Sequence, residues 1–205
     1  MVGFLLKVVV ISLSGVLAPG PMTAATVVAG TRQRHAGALV AIGHGLVEFP
    51  LVLLTLVGVG QVLQRTGVRV GIGLAGGAFL VLMGLQMLAT RQGSAEAGLP
   101  RSRHPITTGV VLTGANPYFL VWWATVGLAL ATQAAGLGLL VFGVFVVLHW
   151  LCDLVWLELL SAASHRGTKV LGERSQRAVL VICGGAMLFF GAAFLRDALR
   201  LLSPA

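Results

Sequence analysis

The sequence predicts an all-α, polytopic membrane protein: six transmembrane helices forming two inverted three-helix repeats, with spans 1 and 4 broken at proline. Three observations carry this. The 205 residues are 57% hydrophobic and 10% charged, against roughly 25% charged in ordinary soluble domains. Six apolar stretches, near residues 4–30, 37–62, 69–90, 106–131, 137–160 and 178–200, reach the roughly 20 residues a helix needs to cross a hydrocarbon core. The first and the fourth carry Ala18-Pro19-Gly20-Pro21 and Ala115-Asn116-Pro117-Tyr118, where proline removes a backbone donor and collides with the preceding turn.

The first stretch resembles a signal peptide only superficially. It is long, holds Pro-Gly-Pro in its middle and is followed at once by more apolar spans, so it reads as a segment retained in the membrane. Broken backbone at membrane depth is tolerated only where protein or a wet cavity satisfies it. Two such breaks, one per half, therefore predict a transport site built from discontinuous helices.

Spans two and three complete the first repeat, residues 1–91. Span two carries His44-x-x-x-Glu48 and span three carries Gly76-Gly77-Ala78. A polar linker, 92–105, separates it from the second repeat, 106–205, which has the same order: the proline break, then His149-x-x-x-Asp153, then Gly184-Gly185-Ala186. Three spans per repeat is odd, so the second half enters the bilayer from the opposite side. Residues 1–205 thus read as a single transmembrane domain.

Basic residues set the orientation. Arg32, Arg34, Arg91, Arg101, Arg103, Arg166, Lys169, Arg174 and Arg177 fall on one side, against Arg65, Arg69, Arg200 and Lys7 on the other. The first side is assigned to the cytoplasm, which leaves both termini outside. The net charge of +8 is accounted for in this way, and without a motif or interleaved aromatics it does not indicate nucleic acid. Cys152 and Cys183 lie apart within apolar spans, so they imply neither a disulfide framework nor a thiolate metal cluster. They are also badly placed for a membrane enzyme such as a thiol-disulfide electron carrier, which needs reactive thiols near the breaks. No cofactor is implied, and the chain does not read as an enzyme.

Charged groups inside apolar spans indicate function, because a carboxylate near the bilayer centre costs about 2.5–3.5 kcal/mol even on insertion scales. Helical spacing puts His44 and Glu48 on one face, and His149 and Asp153 on another. With spans two and five antiparallel, His44 lies level with Asp153, and Glu48 with His149. Such a cluster has three uses. It can relay protons for coupled transport, supply four ligands (His44, Glu48, His149, Asp153) to a divalent transition metal, or merely hold helices together. Glu158, near the end of span five, reads as interfacial, and His35, His104 and His165 as loop residues. Trp122 and Trp123 follow the second break closely, with core packing weighed ahead of a cavity-lining role.

The half-helices after Pro21 and after Pro117 present free N–H groups and a positive dipole end, a seat for an anionic group such as a carboxylate. Pro19, Gly20, Pro21, Met22, Thr23, Asn116, Pro117 and Tyr118 are therefore the candidate substrate-binding residues.

Taken together, the Ala18–Pro21 break, the loop from Gly30 to Gly37, the segment from Gly43 to Glu48, and Asn116-Pro117 resemble the LysE family of amino-acid exporters. The resemblance covers essentially the whole chain. It implies a six-span inverted-repeat exporter of basic or neutral amino acids or similar metabolites, driven by the proton gradient. Glu48 occupies the place of the carboxylate usual in that family's second span, and Asp153 looks like its counterpart. Two departures stand out: the family's Asn-Pro-Lys reads Asn116-Pro117-Tyr118 here, and His44 and His149 are additions to the commonest pattern. The expected function is proton-coupled export of an amino acid across the plasma (cell inner) membrane, with protons handled by Glu48 and Asp153 assisted by His44 and His149. A divalent-metal exporter is the alternative. The expected partners are a small-molecule substrate and the lipid bilayer, with room for a homo-oligomer.

Overall fold

The prolines divide the chain. The computed structural model describes residues 2–58, 62, 64–89, 104–170 and 172–202. In it α1 (Val2–Val16) ends before Pro19, and α2 (Pro21–Arg32) starts at Pro21. Gly20 between them is extended (φ −160°) and forms the N-cap of α2. The two helices meet at a 77° bend. Helix α3 (Ala36–Leu56) and α4 (Thr66–Ala89) follow. Pro50 lies inside α3 without ending it, so proline by itself does not suffice to break a span, whereas Pro19-Gly20-Pro21 does so.

The second half repeats this plan. Helix α5 (Pro105–Gly114) stops before Asn116, whose Oδ1 accepts the Tyr118 N–H at 3.1 Å and caps α6 (Pro117–Gly136). Within α6, Trp123–Gly127 forms one π-helical turn. Helices α7 (Leu139–Val170) and α8 (Gly172–Leu202) complete the chain. All these elements are helices, as expected. Among the described residues five are long and apolar enough to cross a membrane, or six if bent α1/α2 is one span.

Some boundaries differ from expectation. The stretch placed at 106–131 is divided at Asn116, and its second part reaches Gly136. Helix α7 runs ten residues past the expected end at 160 because its extension secures the end of α2. There Ser164 Oγ donates to the Val27 carbonyl at 2.7 Å, Ser161 Oγ to the Arg34 carbonyl at 2.8 Å, and His165 Nδ1 meets the Gly30 carbonyl at 3.2 Å. Nor is His35 an idle loop residue: it pairs with Glu158 at 2.6 Å. The other oxygen of Glu158 accepts the Ala38 N–H at 3.0 Å, which satisfies one of the orphan donors of α3. The linker, apart from His104 and Pro105, lies outside the described residues.

Matching elements of the two halves run in opposite directions. Against α7, Gly37 of α3 lies on Leu157 and Gly45 on Trp150; against α8, Gly77 of α4 lies beside Gly191 and Gly84 beside Gly184. Both pairs are antiparallel, as an inverted repeat requires. Packing repeats too, since α1 lies on α7 as α5 lies on α3, and α2 on α8 as α6 on α4. Small residues let these backbones touch. A Cβ on Gly37 would overlap the Leu157 carbonyl, and one on Gly109 the Val40 carbonyl. Gly37→Leu or Gly109→Leu should therefore destabilise the protein by about 1–3 kcal/mol. Gly136→Ala, where nothing lies within 4 Å, should leave thermal unfolding in detergent unchanged. Equal melting of all three variants would contradict this packing.

Candidate functional site

Helices α3 and α7 lie side by side and bring their polar faces together inside the bundle. His44, Glu48, His149 and Asp153 are only 4%, 1%, 5% and 8% exposed. Both cross-helix pairings are present, His149 with Glu48 at 3.1 Å and His44 with Asp153 at 3.8 Å, and the two imidazoles also share one oxygen. His44 Nε2 and His149 Nε2 each lie 3.1 Å from Glu48 Oε1, and Trp123 Nε1 donates to the same oxygen at 3.2 Å. Asp153 stands slightly apart, with an oxygen 3.8 Å from each imidazole.

The far nitrogen of each ring meets a hydroxyl from the opposite half of the chain. His44 Nδ1 lies 2.9 Å from Thr113 Oγ1 on α5, and His149 Nδ1 lies 2.8 Å from Ser12 Oγ on α1. The two hydroxyls differ. Thr113 gives its single proton to the Gly109 carbonyl at 2.6 Å, the usual back-bond of a hydroxyl within a helix. It must then accept from His44 Nδ1–H, which makes His44 Nε2 either an acceptor or the second donor of an imidazolium. Ser12 is free of such a back-bond, so its hydroxyl can donate to His149 Nδ1 and leave a neutral ring donating through Nε2. By this count His44 Nε2, facing Glu48 Oε1, is the ring nitrogen whose protonation the hydroxyls leave open.

Aromatic rings hold the imidazoles in place. Trp122 stacks on His149 at 4.9 Å and 18°, Trp123 meets it edge-on at 5.3 Å, and Phe119 meets His44 edge-on at 5.4 Å. The π turn that begins at Trp123 places this indole beside Glu48, as such turns often do at functional sites.

A cavity of about 100 Å³ joins this cluster to both helix breaks. Pro19, Gly20, Pro21, Met22 and Thr23 line it from the first break, and Asn116 and Tyr118 from the second, opposite His44, Glu48, His149 and Asp153. Pro117 is the exception among the expected wall residues. It is packed against Gly76, where it would collide with any Cβ. Trp122 and Trp123 do both: Trp123 belongs to the buried hydrophobic core with Trp122 packed against it, as expected, and both line the cavity.

Nothing in the sequence marks Ser12, Thr113 or the Trp123 N–H. A hydroxyl in an apolar helix carries no signal by itself; only pairing the two halves as repeats would have set Ser12 opposite His149.

The metal-ligating atoms of His44, Glu48 and Asp153 lie within 4.8 Å of one another. Imidazole and carboxylate together suit a first-row divalent ion.

Residues 13–198 match the family model described as LysE type translocator. The chain belongs to the LysE type translocator family. No curated protein and no solved structure gives a significant match. As a LysE type translocator the protein is a multi-pass membrane exporter of small molecules. The match spans both helix breaks and all four residues of the buried cluster.

Two outcomes test the site geometry. With histidine labelled by nitrogen-15, the resonance lost in His44→Gln should belong to a ring protonated at Nδ1, and that lost in His149→Gln to a ring protonated at Nε2. Thr113→Val should erase this difference. Replacing Glu48 with Ala leaves the Trp123 N–H and both imidazoles without their shared partner and should cost about 3–5 kcal/mol of stability, as breaking a buried charged network does, whereas Glu48→Gln should cost less.

Proposed function

We propose that the chain is a proton-coupled exporter of amino acids or related small metabolites, with Glu48 and Asp153 as the proton-exchanging groups and His44 and His149 as their relays. The observation that carries the reading is that one cavity touches both helix breaks and the whole buried cluster. A proton released at the cluster and a substrate held at the breaks therefore share one chamber, which is what coupling needs. Imidazole next to carboxylate can move a proton over a hydrogen-bond length. Pro21 has no N–H, so Met22 and Thr23 supply the first free donors of α2, and these with the dipole favour a substrate carboxylate. Two halves, 1–91 and 106–205, rocking against each other would expose the chamber alternately. The bias in basic residues assigns the loop after α2 to the cytoplasm of a plasma membrane, with both termini outside.

A divalent-metal exporter is the second reading, supported by the 4.8 Å grouping of ligand atoms. Counterflow in liposomes separates the two. Purified wild type should exchange labelled amino acid across the membrane faster under an imposed pH gradient. Glu48→Gln and Asp153→Asn should each lower that gradient-driven rate by at least about tenfold, the scale of a lost acid–base group. Amino-acid transport that ignores both substitutions would overturn the coupling. Metal flux in its place would favour the second reading.

A further inference from the structure

We infer that the ammonium group of the substrate occupies the same seat as the coupling proton, the orphaned oxygens of Glu48 and Asp153, and that this substrate carries an apolar side chain rather than a second cation. The inference rests on the exporter reading above and specifies what that site accepts.

The two carboxylates are incompletely satisfied. Glu48 Oε1 is met by the Trp123 N–H and by the Nε2 atoms of both imidazoles, yet Glu48 Oε2 and Asp153 Oδ2 are buried without a hydrogen-bond partner, with His149 Nε2 standing 3.8 Å from the latter. A buried acceptor left empty pays its full desolvation cost, so native structures rarely keep one without a reason. Both residues face the cavity. The group that answers two such oxygens is one with several N–H donors, a positive charge and no acceptor, which describes an ammonium. A carboxylate placed there would bring lone pairs against lone pairs, and a hydroxyl has one proton to offer two oxygens and no positive charge.

The remaining wall decides the side chain. Tyr118, Phe119, Phe190, Leu80 and Met187 line it, and neither Lys nor Arg is among the lining residues. Among the described residues Glu48 and Asp153 are the only acids that line the cavity, so a basic side chain would bring a second cation beyond the one they receive. The exposed faces of the rings suit aliphatic or aromatic groups instead. The carboxylate of such a substrate has the first turn of α2 available, where the first capping bond, from Ala24 N–H to the Gly20 carbonyl, leaves the Met22 and Thr23 N–H groups outside it. Substrate selection and coupling then follow from one contest. An ammonium and a proton repel each other at the same pair of carboxylates, so arrival of the substrate drives one proton from the carboxyl pair to water, and return of the proton drives the substrate out.

Calorimetry of the purified full-length protein in detergent tests this, run at one pH in two buffers of different ionisation enthalpy. The ligands are L-leucine, L-phenylalanine, L-lysine, L-phenyllactate and zinc chloride. Leucine and phenylalanine should bind with a heat that differs between buffers by about one released proton. Lysine should bind at least about tenfold more weakly, and phenyllactate, in which a hydroxyl replaces the ammonium, should not bind. Glu48→Gln and Asp153→Asn should each abolish the buffer dependence. Phenyllactate binding as tightly as phenylalanine, or buffer-independent heats with wild type, would overturn the shared seat; if amino-acid counterflow remained proton-driven, the exporter reading would survive. Lysine as the best ligand would overturn the proposed substrate class. Zinc binding with no amino acid bound would overturn both.

Discussion

One carboxylate oxygen, Glu48 Oε1, receives two imidazoles and an indole from three different helices inside an apolar bundle. A carboxylate at this depth is costly, and hydrogen bonds in membranes return well under 1 kcal/mol each on average. The cluster is therefore a poor device for stability and a good one for a site. It also determines much of the surrounding packing. Helices α3 and α7 must approach closely enough for His149 to reach Glu48, which the glycines at 37 and 45 permit. Helix α6 must turn its indole inward, which the π turn at Trp123 achieves.

The helix breaks supply the other half of the account. A continuous helix in place of α1 and α2 would present only side chains to the cavity. The break exposes backbone donors beside Met22 and Thr23, and the second break puts Asn116 and Tyr118 across from them. The two histidines are held alike by the opposite half, through Thr113 and Ser12, yet only Thr113 is committed to a backbone carbonyl. The two half-sites thus differ in the hydroxyl that faces the ring, one spoken for by a carbonyl and the other able to donate.

What the sequence made legible follows from how harshly the bilayer constrains it. Apolar spans of sufficient length, prolines within them, and a histidine four residues from a carboxylate are all visible because each is expensive unless it has a purpose. The spacing was enough to expect His44, Glu48, His149 and Asp153 to come together. It could not place both imidazoles on one oxygen of Glu48, because that depends on side-chain rotamers and on the approach of α3 to α7. Trp123 reads as a bulky apolar residue until the π turn aims its N–H. The full extent of α7 is not legible because Ser161, Ser164 and His165 look like the polar end of a span, whereas they tie α7 to α2 and its loop. Pro50 illustrates the converse, since proline in an apolar stretch marks a break only when its neighbours leave the chain no helical alternative.

The proposed exchange of substrate and proton through one chamber has a direct readout. The most direct measurement reports the pH inside liposomes containing the purified protein, using a trapped indicator, when an outward gradient of leucine is imposed with no initial pH difference and with the membrane potential clamped. The account predicts that leucine efflux acidifies the lumen, and that this acidification is lost in Glu48→Gln. Leucine leaving at the wild-type rate while the internal pH stays constant would contradict it.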